Sequence, residues 1–332
     1  MAVLATASRP WSKFNRHGWS KFGRRQHKLQ RDCAVTLPLL RKGAPVSSIA
    51  KTWAAELAKA QSVHRASQLY AGRTFRDAQR ASQLLGAMLY VASAGLGLVG
   101  EDQYVPAYDL TVATSGATIH PQLDAVSAST ADWWAALTSA LGQPNSLATL
   151  ATVNRLAIVY VAMPGTYLSM LADELASLPD DVLTRLRIFT SPSWAATAPA
   201  RLAKQVLPYD DRLETTRFTG TRNDFAQRAL LHFLEELNAH RLPMHEAKLA
   251  VHASMSKHAR RSLPTRAKST DEDIIELMRR EWSAYGGASS RLLRFLRDEA
   301  LVQCEQARFQ GLWRRLHNAM KNPGGSTSVG SG

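Results

Sequence analysis

Gly86-Ala-Met-Leu-Tyr90-Val-Ala-Ser93-Ala94 is an almost unbroken apolar run bounded by glycine. It is followed at once by Gly95-Leu-Gly97-Leu-Val-Gly100-Glu101-Asp102-Gln103-Tyr104-Val-Pro106-Ala-Tyr108-Asp109-Leu-Thr111. An apolar run this short, with Tyr and Val inside it, reads as a strand buried on both faces of an α/β sheet. The stretch after it carries three carboxylates and two tyrosines within the nine residues 101–109. In open α/β sheets ligands sit outside the carboxyl ends of the strands, so this acidic, aromatic loop is the first candidate site.

Gly95-x-Gly97-x-x-Gly100 is formally a dinucleotide fingerprint. That fingerprint acts only where the loop opens a helix whose N-terminus receives a pyrophosphate. Here Pro106 follows Gly100 and no apolar helical stripe intervenes. The glycines read instead as residues permitting a tight turn, and no cofactor is expected.

Outward from this stretch the same alternation recurs. Leu156–Ala162 is a second apolar run, ended by Met163-Pro164-Gly165-Thr166, and Leu186-Arg-Ile-Phe-Thr190 reads as a third strand, ended by Ser191-Pro192-Ser193-Trp194. Helical patterns cover about 46–85, 132–142 and 167–178. Strands alternating with helices predict an α/β fold with a central, mostly parallel sheet flanked by helices, strands near 87–93, 156–162 and 186–190 ending on one edge. Leu69-Tyr-Ala-Gly-Arg73-Thr-Phe75 places Arg73 at a helix start, where it suits an anion or serves as a surface cap. The pair Asp210-Asp211 suits acid–base chemistry or the capping of a helix.

Charge divides the chain of 332 residues, whose net charge is +14. Residues 1–60 carry 12 Lys/Arg against 2 Asp/Glu, residues 61–239 carry 13 against 16, and residues 240–332 carry 16 against 9. A near-neutral middle between basic ends fits a catalytic or ligand-binding core with nucleic-acid-gripping flanks. In the first flank Trp11-Ser-Lys-Phe14 recurs as Trp19-Ser-Lys21-Phe22, and Arg24 and Arg25 follow. Basic and aromatic residues together suit phosphate contacts and base stacking, or else a solubilising tail or transit-like leader. In the second flank a Gly286-Gly287 turn joins two helices, with Arg291, Arg294 and Arg297 spaced along the latter, a pattern compatible with a helix-turn-helix reader. The expected organisation is a basic aromatic arm (1–45), an α/β catalytic core (46–239), a helical nucleic-acid-binding region (240–321) and a flexible Gly/Ser tail (322–332).

The 2 cysteines, Cys33 and Cys304, show neither disulfide nor metal-ligand spacing, so a reducing, cytoplasmic compartment and no metal are expected. No charge-free apolar stretch reaches the roughly eighteen residues of a membrane span, and no obligate protein partner is expected.

The segments Leu69–Phe75, Leu89–Leu98 and Pro106–Thr111 resemble a bacterial family related to the peroxide-stress YaaA proteins, over about residues 65–215. That group is similar in architecture to the uracil-DNA glycosylase superfamily, whose first motif is an acidic, aromatic loop after a central strand. Gly100-Glu101-Asp102-Gln103-Tyr104 is similar to the glycosylase Gly-Gln-Asp-Pro-Tyr loop, with Glu101 and Gln103 departing from it. Ser191-Pro192-Ser193 loosely resembles the second glycosylase motif without its histidine. The resemblance implies base excision from double-stranded DNA, including the removal of modified bases from bacteriophage DNA in antiviral defence. Cleaving an N-glycosidic bond passes through an oxocarbenium-like sugar, which a carboxylate stabilises while activating water. Asp109, Asp102 and Glu101 are the catalytic candidates. Tyr104, Tyr108, Ser93, Gly95, Gly97, Ser191 and Ser193 are the base-binding candidates, and Arg73, Lys21, Arg24, Arg25, Arg291 and Arg294 the DNA-binding ones. A non-enzymatic DNA-binding stress protein and a tRNA or nucleoside base-modification enzyme remain alternatives, and Asp109 could equally orient its own turn.

Overall fold

The structure, a computed structural model, describes residues 2–7, 35–38, 43–70, 72–114, 116–144, 146–153, 157–260 and 265–321. It forms two compact units, Met1–Arg261 and Ser262–Gly332. The boundary falls later than the expected one at 239/240.

The first unit is built on a five-stranded sheet of β1 (Ala2–Ala7), β4 (Ala87–Ser93), β5 (Gly97–Gly100), β8 (Val159–Ala162) and β9 (Leu186–Phe189), in the order β5-β4-β1-β8-β9. Two-residue pairings accompany it: β2 (Val35–Thr36) with β7 (Tyr108–Asp109), and β3 (His64–Arg65) with β6 (Tyr104–Val105). The structure places a strand within each of the three expected stretches. The sequence does not reveal β1, which falls in the stretch read as a basic arm.

β1 pairs antiparallel with β4 on one side (Ala2↔Ala92, Leu4↔Tyr90, Thr6↔Met88) and with β8 on the other (Val3↔Ala162, Ala5↔Tyr160). β4 and β8 therefore run in one direction, and β9 follows it as the parallel neighbour of β8. The α/β class holds, but the sheet is mixed and not mostly parallel, because β1 and β5 run against the other three. β4, β8 and β9 nevertheless end on one edge, at Ser93, Ala162 and Phe189.

The principal helices of this unit are α1 (Val46–Lys59), α2 (Arg73–Leu85), α3 (Thr130–Ala140), α4 (Gly165–Ala176), α5 (Phe225–Glu235) and α6 (Met244–Met255). Strand alternation sorts them into two layers. Val159, Val161, Leu186 and Ile188 share a core with Trp53 of α1, Trp133 of α3 and Leu168 of α4. Tyr160, Ala162 and Phe189 meet Ala229 and Phe233 of α5 and Val251 of α6 on the other face, and Leu89 and Val91 bury Phe75 and Ala78 of α2. α2 stops where Gly86 takes the left-handed conformation (φ 58°), which lets the chain turn straight into β4.

The second unit holds β10 (Ala267–Lys268) and β11 (Val302–Gln303) in a parallel pair, with α7 (Asp271–Arg280), α8 (Ser289–Asp298) and α9 (Gln306–Lys321). Thr270 and Asp273 close a capping box on α7. Gly286 (φ 59°) and Gly287 (φ 64°) form the turn before α8. Ile274, Met278, Leu292, Leu296, Phe309 and Leu312 make its own core.

Removing residues 1–7 leaves β4 and β8 with unpaired ladder edges in mid-sheet. Unsatisfied backbone groups inside a sheet are costly, so this truncation should abolish cooperative urea unfolding of the first unit, read by circular dichroism. An unchanged cooperative transition would contradict the role assigned to β1.

Candidate functional site

The run after β4 is not a loop that carries its carboxylates outward from the strand end. Residues 94–96 form a tight turn and Gly97–Gly100 return as β5, antiparallel to β4 with Ser93↔Gly97 and Tyr90↔Gly100. Gly97 has φ +69°, which a tight turn at this point requires. Leu98 and Val99 supply the strand character, and the Leu98 amide donates to Gln143 Oε1 at 3.1 Å. No helix follows Gly100, so the residues form a hairpin and the dinucleotide arrangement is absent.

The hairpin has a direct consequence for the candidate carboxylates. The Glu101 amide bonds the Leu89 carbonyl, four residues before Ser93 and so about 13 Å down the strand. Glu101, Asp102 and Tyr104 therefore lie toward the opposite edge of the sheet from Ser93. There Asp102 is 84% exposed and pairs with Arg65 at 3.5 Å, and Arg65 stacks over the Tyr104 ring at 5.6 Å. Burial pushes the Glu101 carboxyl up, opposed by a bond from Gln79. The expectation that the three acids form one site with Ser93 is corrected.

The chain then turns back, and β7 brings Tyr108 to the end of β4. Tyr108 Oη meets Ser93 Oγ at 2.6 Å and Tyr70 Oη at 2.9 Å. Ser93 Oγ also accepts from the amides of Gly95 and Leu96. Close by, Thr111 Oγ1 meets Tyr167 Oη, from the first turn of α4, at 3.3 Å. Burial raises all three phenols, Tyr70 to about 12, Tyr108 well above the ordinary value and Tyr167 upward. At neutral pH they are uncharged hydrogen-bonding groups.

Two indoles clamp the turn beneath them. Trp53 Nε1 donates to the Gly95 carbonyl at 2.6 Å, and Trp133 Nε1 to the Ala94 carbonyl at 2.8 Å. A Cβ on Gly95 would come within 2.6 Å of the Tyr108 ring. Gly95 is therefore required for close packing, and Gly97 faces Gln143; neither presents an open base-binding surface.

The ends of β8 and β9 complete the edge. Pro164 and Gly165 open α4, and Trp194 packs against Gly165. Ser191 and Ser193 share a 3.1 Å hydroxyl contact at the partly exposed start of a short helix. Two buried polar atoms here have no partner among the described residues, Thr190 Oγ1 and Gln227 Oε1. Gln227 Nε2 donates to the carbonyl of Ala162, the last residue of β8, at 2.7 Å. Buried polar atoms are nearly always satisfied, so such orphans point to bound water or ligand. Sequence reading missed Tyr70, Thr111, Tyr167, Thr190 and Gln227 as site residues: Tyr70 and Thr111 lie in the quoted segments Leu69–Phe75 and Pro106–Thr111 without a role of their own, the other three carry no motif, and the five meet only through the fold.

Asp109 is the candidate carboxylate that stays at this edge. It is the neighbour of Tyr108 in β7, opposite Thr36, and its side chain is exposed where that of Tyr108 is turned in. Arg73 is half-exposed but committed: it donates to the Thr219 carbonyl at 2.9 Å and lies 3.5 Å from Asp77 and 3.7 Å from Asp224. Behind it, the buried Arg228 bonds Asp224 and Glu214, each at 2.7 Å, and the carbonyls of Phe218 and Thr221. Arg73 thus belongs to a charge network tying residues 214–224 to α2 and α5. Asp210 is likewise engaged, by Arg212 at 2.7 Å, and caps its own turn.

In the second unit Arg291 and Arg294 are exposed on α8, opposite the buried Leu292, Phe295 and Leu296. Arg297 is tied to the Cys304 carbonyl. Lys21, Arg24, Arg25 and Cys33 lie outside the described residues. Among those described, no group of His, Cys, Asp and Glu could hold a metal ion, and no helix is long and apolar enough to cross a membrane.

In comparisons with known protein families, curated proteins and solved structures, nothing matches this chain.

Tyr108→Phe removes the hydroxyl shared by Ser93 and Tyr70. The expected loss is about 1–3 kcal/mol of stability, measured as a shift in the urea midpoint. A midpoint equal to the parent's would show that the cluster does not hold the β4 turn.

Proposed function

We propose that the protein is a DNA glycosylase hydrolysing the N-glycosidic bond of a modified or non-standard base flipped out of the duplex. The observation that carries this reading is the edge formed by Ser93, Tyr108, Tyr70, Thr111 and Tyr167, with orphaned polar atoms at Thr190 and Gln227 and the carboxylate of Asp109 beside it. Neutral phenols offer donors and acceptors for the edge of a base and ring faces for stacking, without repelling phosphates. The resemblance to YaaA-related and uracil-DNA glycosylase-like proteins supports the same reading, and base removal from modified bacteriophage DNA is the corresponding biological role.

In this scheme water bonds to the anomeric carbon as the carbon–nitrogen bond breaks. The bonding pair leaves with the base, and the proton of the water passes through the Asp109 carboxylate towards it. A free base and an abasic site result. Arg291 and Arg294 are assigned to the phosphate backbone, where each neutralised phosphate adds to the salt dependence of binding. One observation favours the rival reading, a DNA-binding protein without hydrolysis: the exposed Asp109 is turned away from the phenols.

The test is release of free base from duplexes carrying modified bases, read by mass spectrometry. Asp109→Asn should slow release by roughly 10²-fold or more, the scale of acid–base contributions, with DNA affinity retained. Asp102→Asn, at the far edge, should leave the rate unchanged. Full activity in Asp109→Asn would sink the carboxylate mechanism, and binding without release from any duplex would favour the rival.

A further inference from the structure

Away from that edge, a cavity of about 500 Å³ opens between α5, α6 and residues 215–218, lined among others by His232, Ser254, Lys257, His258, Arg217 and Glu236. Its volume is in the range of small-molecule sites. His232 forms its inner wall and is 1% exposed. Its Nδ1 lies 2.8 Å from Tyr209 Oη, and its Nε2 lies 3.3 Å from Ser254 Oγ.

The hydrogen-bond inventory decides the direction of this chain. The Tyr209 hydroxyl is buried, and among the described residues its partner is His232 Nδ1. A buried O–H must find an acceptor, so it donates to Nδ1, and the ring proton resides on Nε2. Nε2–H then donates to Ser254 Oγ, whose own O–H is left to donate into the cavity. Burial holds His232 far below its ordinary value, at about 4, so the ring stays neutral and this tautomer persists at physiological pH. In this arrangement Ser254 is a donor backed by a donor; Nε2 has no lone pair with which to activate it as a nucleophile.

Charge on the cavity wall points the same way. Arg217 is engaged with Glu236 at 3.0 Å and stacked over Phe218 at 4.8 Å. The exposed Lys257 ammonium has no carboxylate partner among the described residues. We infer that this cavity binds a phosphate group, held by the Ser254 hydroxyl and the Lys257 ammonium with Arg217 at its rim. The group belongs to a small phosphate monoester or to a phosphodiester of the nucleic-acid backbone; both offer the same anionic oxygens.

Isothermal titration of the full-length protein with inorganic phosphate tests the site. Saturable binding is expected, weakened about tenfold or more in Lys257→Ala and in Ser254→Ala, the scale of a lost charge-assisted hydrogen bond. Lys51→Ala, on α1, should bind as the parent does. A short duplex titrated into Lys257→Ala separates the sources: unchanged duplex affinity assigns the site to a monoester, and reduced affinity to the backbone. Absence of saturable phosphate binding, or equal affinity in all variants, would overturn the inference. So would labelling of Ser254 by a fluorophosphonate, because it requires Nε2 to accept the serine proton.

Discussion

The first unit depends on the pairing of one strand with two others. β1 lies between β4 and β8 and runs against both. That single insertion forces β4 and β8 into a common direction although no crossover joins them as direct neighbours. β9 follows by parallel pairing with β8. The result is one edge on which Ser93, Met163 and Thr190 emerge together, with α4 starting at the same edge. A ligand site at that edge is a consequence of strand direction before any side chain is considered.

Side chains then decide what the edge can bind. The β4–β5 turn is fixed from below by two indoles and from above by the Ser93–Tyr108 hydrogen bond. Each of those bonds contributes about 1 kcal/mol net, but together they fix Tyr108, and through it Tyr70, while Tyr167 is held by Thr111. Burial keeps the phenols neutral, so what they can offer is uncharged hydroxyls and ring faces. On the opposite face Arg228 is buried with two carboxylates and two carbonyls. Removing one partner of such a buried set commonly costs about 3–5 kcal/mol, which makes residues 214–224 a rigid flank.

Legibility in the sequence followed the strength of the periodic signal. The runs at 87–93 and 156–162 are readable because a strand buried on both faces is apolar along its length, and 186–190 is readable from Leu186, Ile188 and Phe189 in spite of the buried Arg187; the edge they share follows from the loops that end them. β1 was not readable: Ala2–Ala7 has no polar alternation and stands beside eight Lys/Arg in residues 1–31, so charge dominated its reading. The hairpin was missed for a different reason. Three glycines argue against a strand, and only the pairing of Leu98 and Val99 with β4 outweighs them. That one error moved Glu101 and Asp102 about 13 Å from where adjacency in sequence placed them. Tyr108 and Asp109 are candidates on sequence alone, but Tyr70, which bonds Tyr108, and Tyr167, which bonds Thr111, lie 38 and 59 positions away from Tyr108, and no local pattern links them.

If the protein acts on a flipped base as proposed, the base meets the edge at the ends of β4, β8 and β9 and not the edge at 101–104. Amide hydrogen exchange can be measured on the protein bound to a duplex containing an abasic, cationic sugar analogue, a mimic of the oxocarbenium state. Slowed exchange is expected at 93–96, 108–113, 164–168 and 190–194, with 101–104 unchanged. Protection confined to 101–104, or no protection at the ends of β4, β8 and β9, would contradict that placement.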